Sequence, residues 1–150
     1  MRVKTMLFFL SLIIAVPAMN LQAQHKSNDV IGLWLTEDED AQVEIFQREG
    51  KFYGKITWLK EPIDEETGKP KTDKKNPDPK LRSLPTLGME MLKGFSFDGK
   101  NEWSGGEIYD AGNGKTYRSY MSLEGKDKLK IRGYIGISLL GRNTYWTRVQ

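Results

Sequence analysis

The chain has 150 residues, with 23 Lys and Arg against 20 Asp and Glu, one His and no Cys. That length suits one domain, and the lack of Cys excludes disulfides, thiol catalysis, Cys-based zinc sites and iron–sulfur clusters. The net charge of +3 falls to +1 once residues 1–23, which carry Arg2 and Lys4, are set aside, too weak a field for a nucleic-acid binder that relies on charge.

The N-terminus reads as an export signal. Arg2 and Lys4 precede the apolar run MLFFLSLIIAV at residues 6–16, and Ala23 offers a small residue before a cut. A helix over that run reaches about half of a hydrocarbon core of about 30 Å, so it is too short for a permanent span. The expectation is a signal peptide over 1–23 and a single mature domain over 24–150, periplasmic or secreted, with no membrane span. No Cys is present for lipid attachment.

In the mature chain the apolar residues recur with period two, in runs punctuated by Gly, Asp and Asn. Eight strands are predicted, at 30–36, 41–47, 51–59, 88–97, 102–109, 115–123, 128–138 and 143–149. In the third, Phe52, Ile56 and Trp58 are expected to share a face with Gly54. In the seventh, Leu129, Ile131, Ile135 and Ile137 alternate with Lys130, Arg132 and Tyr134. The links at 48–50, 98–100, 110–114, 124–127 and 139–142 are hairpin-sized, so neighbours in the chain are antiparallel neighbours in space. Eight such strands hide their edges most simply by closing into an up-and-down barrel, whose interior is filled by side chains or holds one small ligand.

Residues 60–87 break the rhythm. This segment is long, charged and Pro-rich, as lids and binding loops are. Leu81, Leu84 and Leu87 at spacing three predict a helical turn near the barrel mouth, with Pro79 at its first position. Asn76 and Asp78 then cap the turn, and Asp78 pairs with Arg82. The other reading of Asp73, Asn76 and Asp78 is a hard-cation site, against which their spacing and Pro77 both count. No metal and no cofactor is expected.

Gly32-Leu33-Trp34 opens the first strand and Trp146-Thr147-Arg148 closes the last. In a closed barrel these strands touch, so the Arg148 guanidinium can stack on the Trp34 indole, a contact worth about 0.5–2 kcal/mol. Gly32, Trp34, Trp146 and Arg148 are thereby assigned to barrel closure. A Gly-x-Trp opening with a C-terminal Arg resembles the calycins, the lipocalins among them.

A more specific resemblance rests on motifs along nearly the whole mature chain. They are Trp58-Leu59-Lys60-Glu61-Pro62, Asn76-Pro77-Asp78-Pro79 with Arg82 and Pro85, and Gly105-Gly106-Glu107-Ile108-Tyr109-Asp110. Gly114-Lys115-Thr116-Tyr117 and Arg132-Gly133-Tyr134-Ile135-Gly136 follow. In this order they resemble the exported bacterial family called domain of unknown function 2147. Ala111 stands where that family is expected to carry Pro, in a turn. The resemblance implies an exported calycin-like barrel and no assigned reaction.

The polar residues near the mouth are the candidate contacts. Asp110 opposite Lys115 reads as a turn-former and surface ion pair, or as an acid–base pair facing the lumen. Arg132 points outward if the isoleucines fill the core, or anchors an anion if the lumen is wet. The only His, His25, lies before the first strand, with no scaffold for a catalytic triad. The sequence thus favours non-catalytic binding of a small apolar or amphipathic ligand. Trp58, Asp78, Arg82, Asp110, Lys115, Tyr117, Arg132 and Tyr134 are the candidate contacts, with Arg132 and Arg82 offered to an acidic head group. Two alternatives stand beside it: an envelope structural or protein-interaction module with a filled barrel, and a carboxylate-dependent hydrolase.

Overall fold

The computed structural model describes residues 24–150; the expected signal peptide at 1–23 lies outside the described residues. Eight strands run in chain order: β1 (Gly32–Leu35), β2 (Ala41–Arg48), β3 (Lys51–Leu59), β4 (Glu90–Phe97), β5 (Glu102–Asp110), β6 (Lys115–Leu123), β7 (Lys128–Tyr134) and β8 (Arg142–Arg148). Each pairs antiparallel with its neighbours in sequence, and β8 returns to β1, closing the barrel. The expected eight-stranded antiparallel barrel is therefore the fold. The alternation that builds it is plain in β2, where Ala41, Val43 and Ile45 are buried and Gln42 and Glu44 are not.

One end of the barrel is solid. Trp34, Phe52, Phe95 and Trp103 are buried there with Val43, Ile45, Met121 and Leu129. Burying each such side chain contributes about 1.5–3 kcal/mol. A short 3₁₀ turn, Ser27–Val30, lies under this end. Its carbonyls are the partners of buried donors: Trp34 Nε1 donates to Val30 O at 2.9 Å and Trp103 Nε1 to Ser27 O at 3.0 Å. The Arg148 guanidinium sits 4.1 Å from the Trp34 ring and donates to the Asp29, Ile31 and Lys126 carbonyls at 2.6, 3.0 and 2.8 Å. Gly32 has φ +140°, and a Cβ there would lie 2.7 Å from Arg148 Nη1. The Gly-x-Trp spacing thus has a physical cause: the first residue must make room for the guanidinium that covers the third.

The structure corrects the sequence reading at four places. Trp58 does not share the inner face with Ile56. The register between β2 and β3 shifts at Gln42/Val43, where Gln42 opposes Trp58 and Val43 opposes Ile56. The extra residue, Thr57, makes a bulge that sends Trp58 out, 41% exposed, and Leu59 in. The seventh strand ends at Tyr134, so Ile135 and Ile137 leave the core and are 66% and 59% exposed. The chain turns there, with Gly136 at φ +76°, to form another 3₁₀ turn, Ser138–Leu140, before β8.

The third correction concerns Asp78 and Arg82. The predicted helical turn is a 3₁₀ turn, Pro79–Leu81, and Asp78 caps it by accepting from Lys80 N at 3.0 Å. Arg82 does not pair with Asp78; its Nε donates instead to Asn76 O at 2.7 Å. Fourth, the segment 60–87 does not form a lid across the mouth. The segment folds back on itself through bridges Ile63 with Pro70 and Thr72 with Pro85, is tied to the barrel by hydrogen bonds from Tyr109 Oη to Asp73 and from Lys75 Nζ to the Gly112 carbonyl, and contributes only Thr86 to the lining of the open end.

Candidate functional site

The loops β1–β2, β3–β4, β5–β6 and β7–β8 all lie at the end of the barrel opposite the Trp34 cluster. There the packing stops short, leaving a cavity of about 860 Å³. Its floor is Ile56, Ile131 and Trp146, all at most 6% exposed. Leu59, Met89, Met91 and Ile108 extend the apolar wall upward, and Tyr117 adds an aromatic one. Pockets of about 300–1,000 Å³ with mostly apolar walls and few polar groups are the usual form of a small-molecule site.

A second hollow, of about 540 Å³, lies outside the barrel between the long loop and strands β4 and β5. Leu81, Leu84 and Leu87 line it, all part exposed. At its inner edge Asp73 is buried, 3% exposed. Both of its oxygens are satisfied: Tyr109 Oη donates to one at 2.8 Å and Asn76 Nδ2 to the other at 2.7 Å. Burial, and then the hydrogen bond to Asp73, push the Tyr109 phenol up to about 12, so it stays a donor across the ordinary pH range. This is a clasp between loop and barrel. Lys75 Nζ completes it by donating to Gly112 O at 2.5 Å. Gly114, at φ +71°, allows the close approach, since a Cβ there would collide with the Lys75 carbonyl.

The structure brings three of the expected contacts to the mouth: Asp110, Tyr117 and Tyr134. Asp110 accepts from Gly112 N at 2.8 Å as a turn-former; it faces Lys115 across the β5–β6 ladder without an ion pair among the described residues. Asn113 Nδ2 donates to the Tyr117 hydroxyl at 2.9 Å. Trp58, Asp78, Arg82, Lys115 and Arg132 lie outside the cavity lining. Arg132 points out of the barrel and binds the β7–β8 loop. It donates to Ser138 O, Leu139 O and Asn143 Oδ1 at 2.6, 3.1 and 2.8 Å. Ser119 Oγ, buried in the lumen, donates to the Arg132 carbonyl.

Sequence reasoning missed most of the wall. Leu59 was hidden by the bulge, and Trp146 was assigned to closure although it also floors the cavity. Met89, Met91 and Ile108 carried only the ordinary signal of strand residues. Among the described residues no three carboxylate or imidazole groups converge as a metal ligand set. Asp73, Asn76 and Asp78 instead turn their oxygens to protein donors.

The comparisons with known proteins agree with this architecture. A solved protein from the human pathogen Helicobacter pylori, described as belonging to the lipocalin family, superposes with a TM-score of 0.68 at 28% identity; the match covers 80% of this chain and 82% of that one. No curated protein gives a significant match. Residues 32–148 match the family described as an uncharacterized protein conserved in bacteria, DUF2147. The matched segment starts at the glycine that admits Arg148 and ends at Arg148 itself, so it takes in the whole closed barrel and its open-end cavity, and the chain belongs to that family.

Proposed function

We propose that the protein is a non-catalytic binder of a small apolar or amphipathic molecule, held in the open half of the barrel. One observation carries this reading: the lumen is packed from the Trp34 cluster to Ile131 and empty above it, leaving about 860 Å³ with an apolar floor and a polar rim. The lipocalin-like architecture supports it, and the positively charged and apolar segment at 1–23 supports export to the periplasm or beyond.

Dye binding tests it directly. An environment-sensitive naphthalene-sulfonate dye should brighten on the native protein and be displaced by medium-chain amphiphiles. Leu59→Arg, which places a charge on the half-buried wall, should abolish the signal while the far-UV spectrum and melting temperature stay near those of the parent. Native mass spectrometry of protein from its own host should show a retained small molecule. Unchanged dye binding in Leu59→Arg, with only unliganded mass from the host, would remove the proposal.

A further inference from the structure

The open-end cavity has an uneven charge. Four of its lining residues are carboxylates: Glu37, Asp38 and Asp40 on the β1–β2 loop, and Asp110 at the end of β5. Arg142 is the one cation in that lining among the described residues. The β1–β2 loop and the β5–β6 turn lie four strands apart in a ring of eight, so the carboxylates stand on opposite sides of the mouth.

None of these four acids makes an ion pair among the described residues. Two are fixed in place by local bonds: Asp40 accepts from Thr36 Oγ1 at 2.7 Å and Asp110 from Gly112 N. The arginines that the sequence offered to an acidic head group are turned elsewhere, Arg132 to the β7–β8 loop and Arg82 to Asn76. Just inside the acidic rim the lining becomes aromatic and apolar, with Tyr117 and Trp146 above and beside Ile56 and Ile131.

A cleft with acidic edges and low-dielectric walls concentrates cations and repels anions. Aromatic rings beneath such an edge add their own attraction for an ammonium group. We propose that the cavity selects amphiphiles whose head group is a cation, of the alkylammonium class. The chain lies on Ile56, Ile131 and Trp146, and the head sits between Asp110 and the carboxylates of the β1–β2 loop. This inference rests on the reading of the cavity as an amphiphile site.

The test compares dodecyltrimethylammonium, dodecyl sulfate and dodecyl maltoside, each below its micelle concentration, by calorimetry on the purified protein. At about 20 mM salt the ammonium should bind about tenfold more tightly than the sulfate. Raising salt to about 300 mM should close most of that gap, because exposed charges are screened. Asp38→Asn with Asp110→Asn should cut the ratio about threefold, in a variant whose thermal melt confirms the barrel. Tetramethylammonium, which has the head without the chain, should bind about a hundredfold more weakly than the chain-bearing cation.

Equal affinity for sulfate and ammonium, or a salt-independent ratio, overturns the head-group inference and leaves ligand binding intact. Equal affinity for tetramethylammonium and its dodecyl form also overturns it, by removing the cavity from the site. Failure of all three chain-bearing probes overturns the cavity reading itself. The salt series needs no variant, so the inference stays exposed to refutation if the double variant does not fold.

Discussion

Arg148 does more than stack on Trp34. Its three nitrogens satisfy the carbonyls of Asp29 in the Ser27–Val30 turn, of Ile31 just after it and of Lys126 in the β6–β7 turn, so one side chain joins both ends of the described chain at the barrel's closed end. The flat, multiply donating guanidinium suits this and an ammonium does not. Arg148→Lys should therefore lower the melting temperature even though the charge is kept. Gly32→Ala should destabilise by about 1–3 kcal/mol, since the new Cβ meets both a positive φ and the guanidinium. Chemical denaturation of the two single variants and their double will show whether the losses overlap, as shared contacts require.

Tyr109 makes a prediction with a definite sign. Its phenol titrates near 12 in the folded chain and near 10 when exposed, so the protonated form favours the native state. That contribution is complete below about pH 10 and disappears as pH rises through about 12. Denaturation midpoints measured from pH 9 to pH 12 should fall for the parent more steeply than for Tyr109→Phe. Parallel slopes would mean that the Asp73 clasp does not hold the phenol.

Two elements decide what the mouth looks like. The bulge in β3 exchanges Trp58 for Leu59 on the inner face, so an apolar branch rather than an indole lines the cavity. The β7–β8 loop carries Leu139 and Leu140 at 81% and 78% exposure, yet it is held by the Arg132 guanidinium rather than by an apolar core of its own. Arg132→Ala should speed hydrogen exchange at Leu140 and Gly141, whose N–H groups close the 3₁₀ turn, and leave the β6 and β7 amides protected. Leu139→Ser should change stability by less than about 0.5 kcal/mol, because almost no apolar area is withdrawn from the folded state.

On the acid side, Arg48 donates to Glu90 through its two terminal nitrogens, at 2.7 and 3.2 Å, tying β2 to β4 across β3. That contact holds the Glu90 carboxyl below its ordinary value of 4.5. The stabilisation is present above that value and is lost as pH falls through the lower folded one. Glu90→Gln should accordingly narrow the gap in melting temperature between pH 6 and pH 3.

At the scale of the whole molecule, the closed half supplies rigidity and the open half supplies space. A ligand that binds only the folded barrel at a hundred times its dissociation constant raises stability by about 2.7 kcal/mol. Thermal shift with the alkylammonium probe therefore reports occupancy without a label.

Composition, period-two alternation and hairpin-length links sufficed for the eight strands, their antiparallel order and the closing Trp34–Arg148 contact, because these depend on local geometry and on the simplest way such strands hide their edges. The cavity wall depended on more. A bulge of one residue reverses the faces beyond it, and a guanidinium is claimed by whichever carbonyls lie nearest in space. Neither is written in the spacing of residues along the chain, so the side chains that line the mouth, and the sign of its charge, were decided only when the sheet closed and the loops met across it.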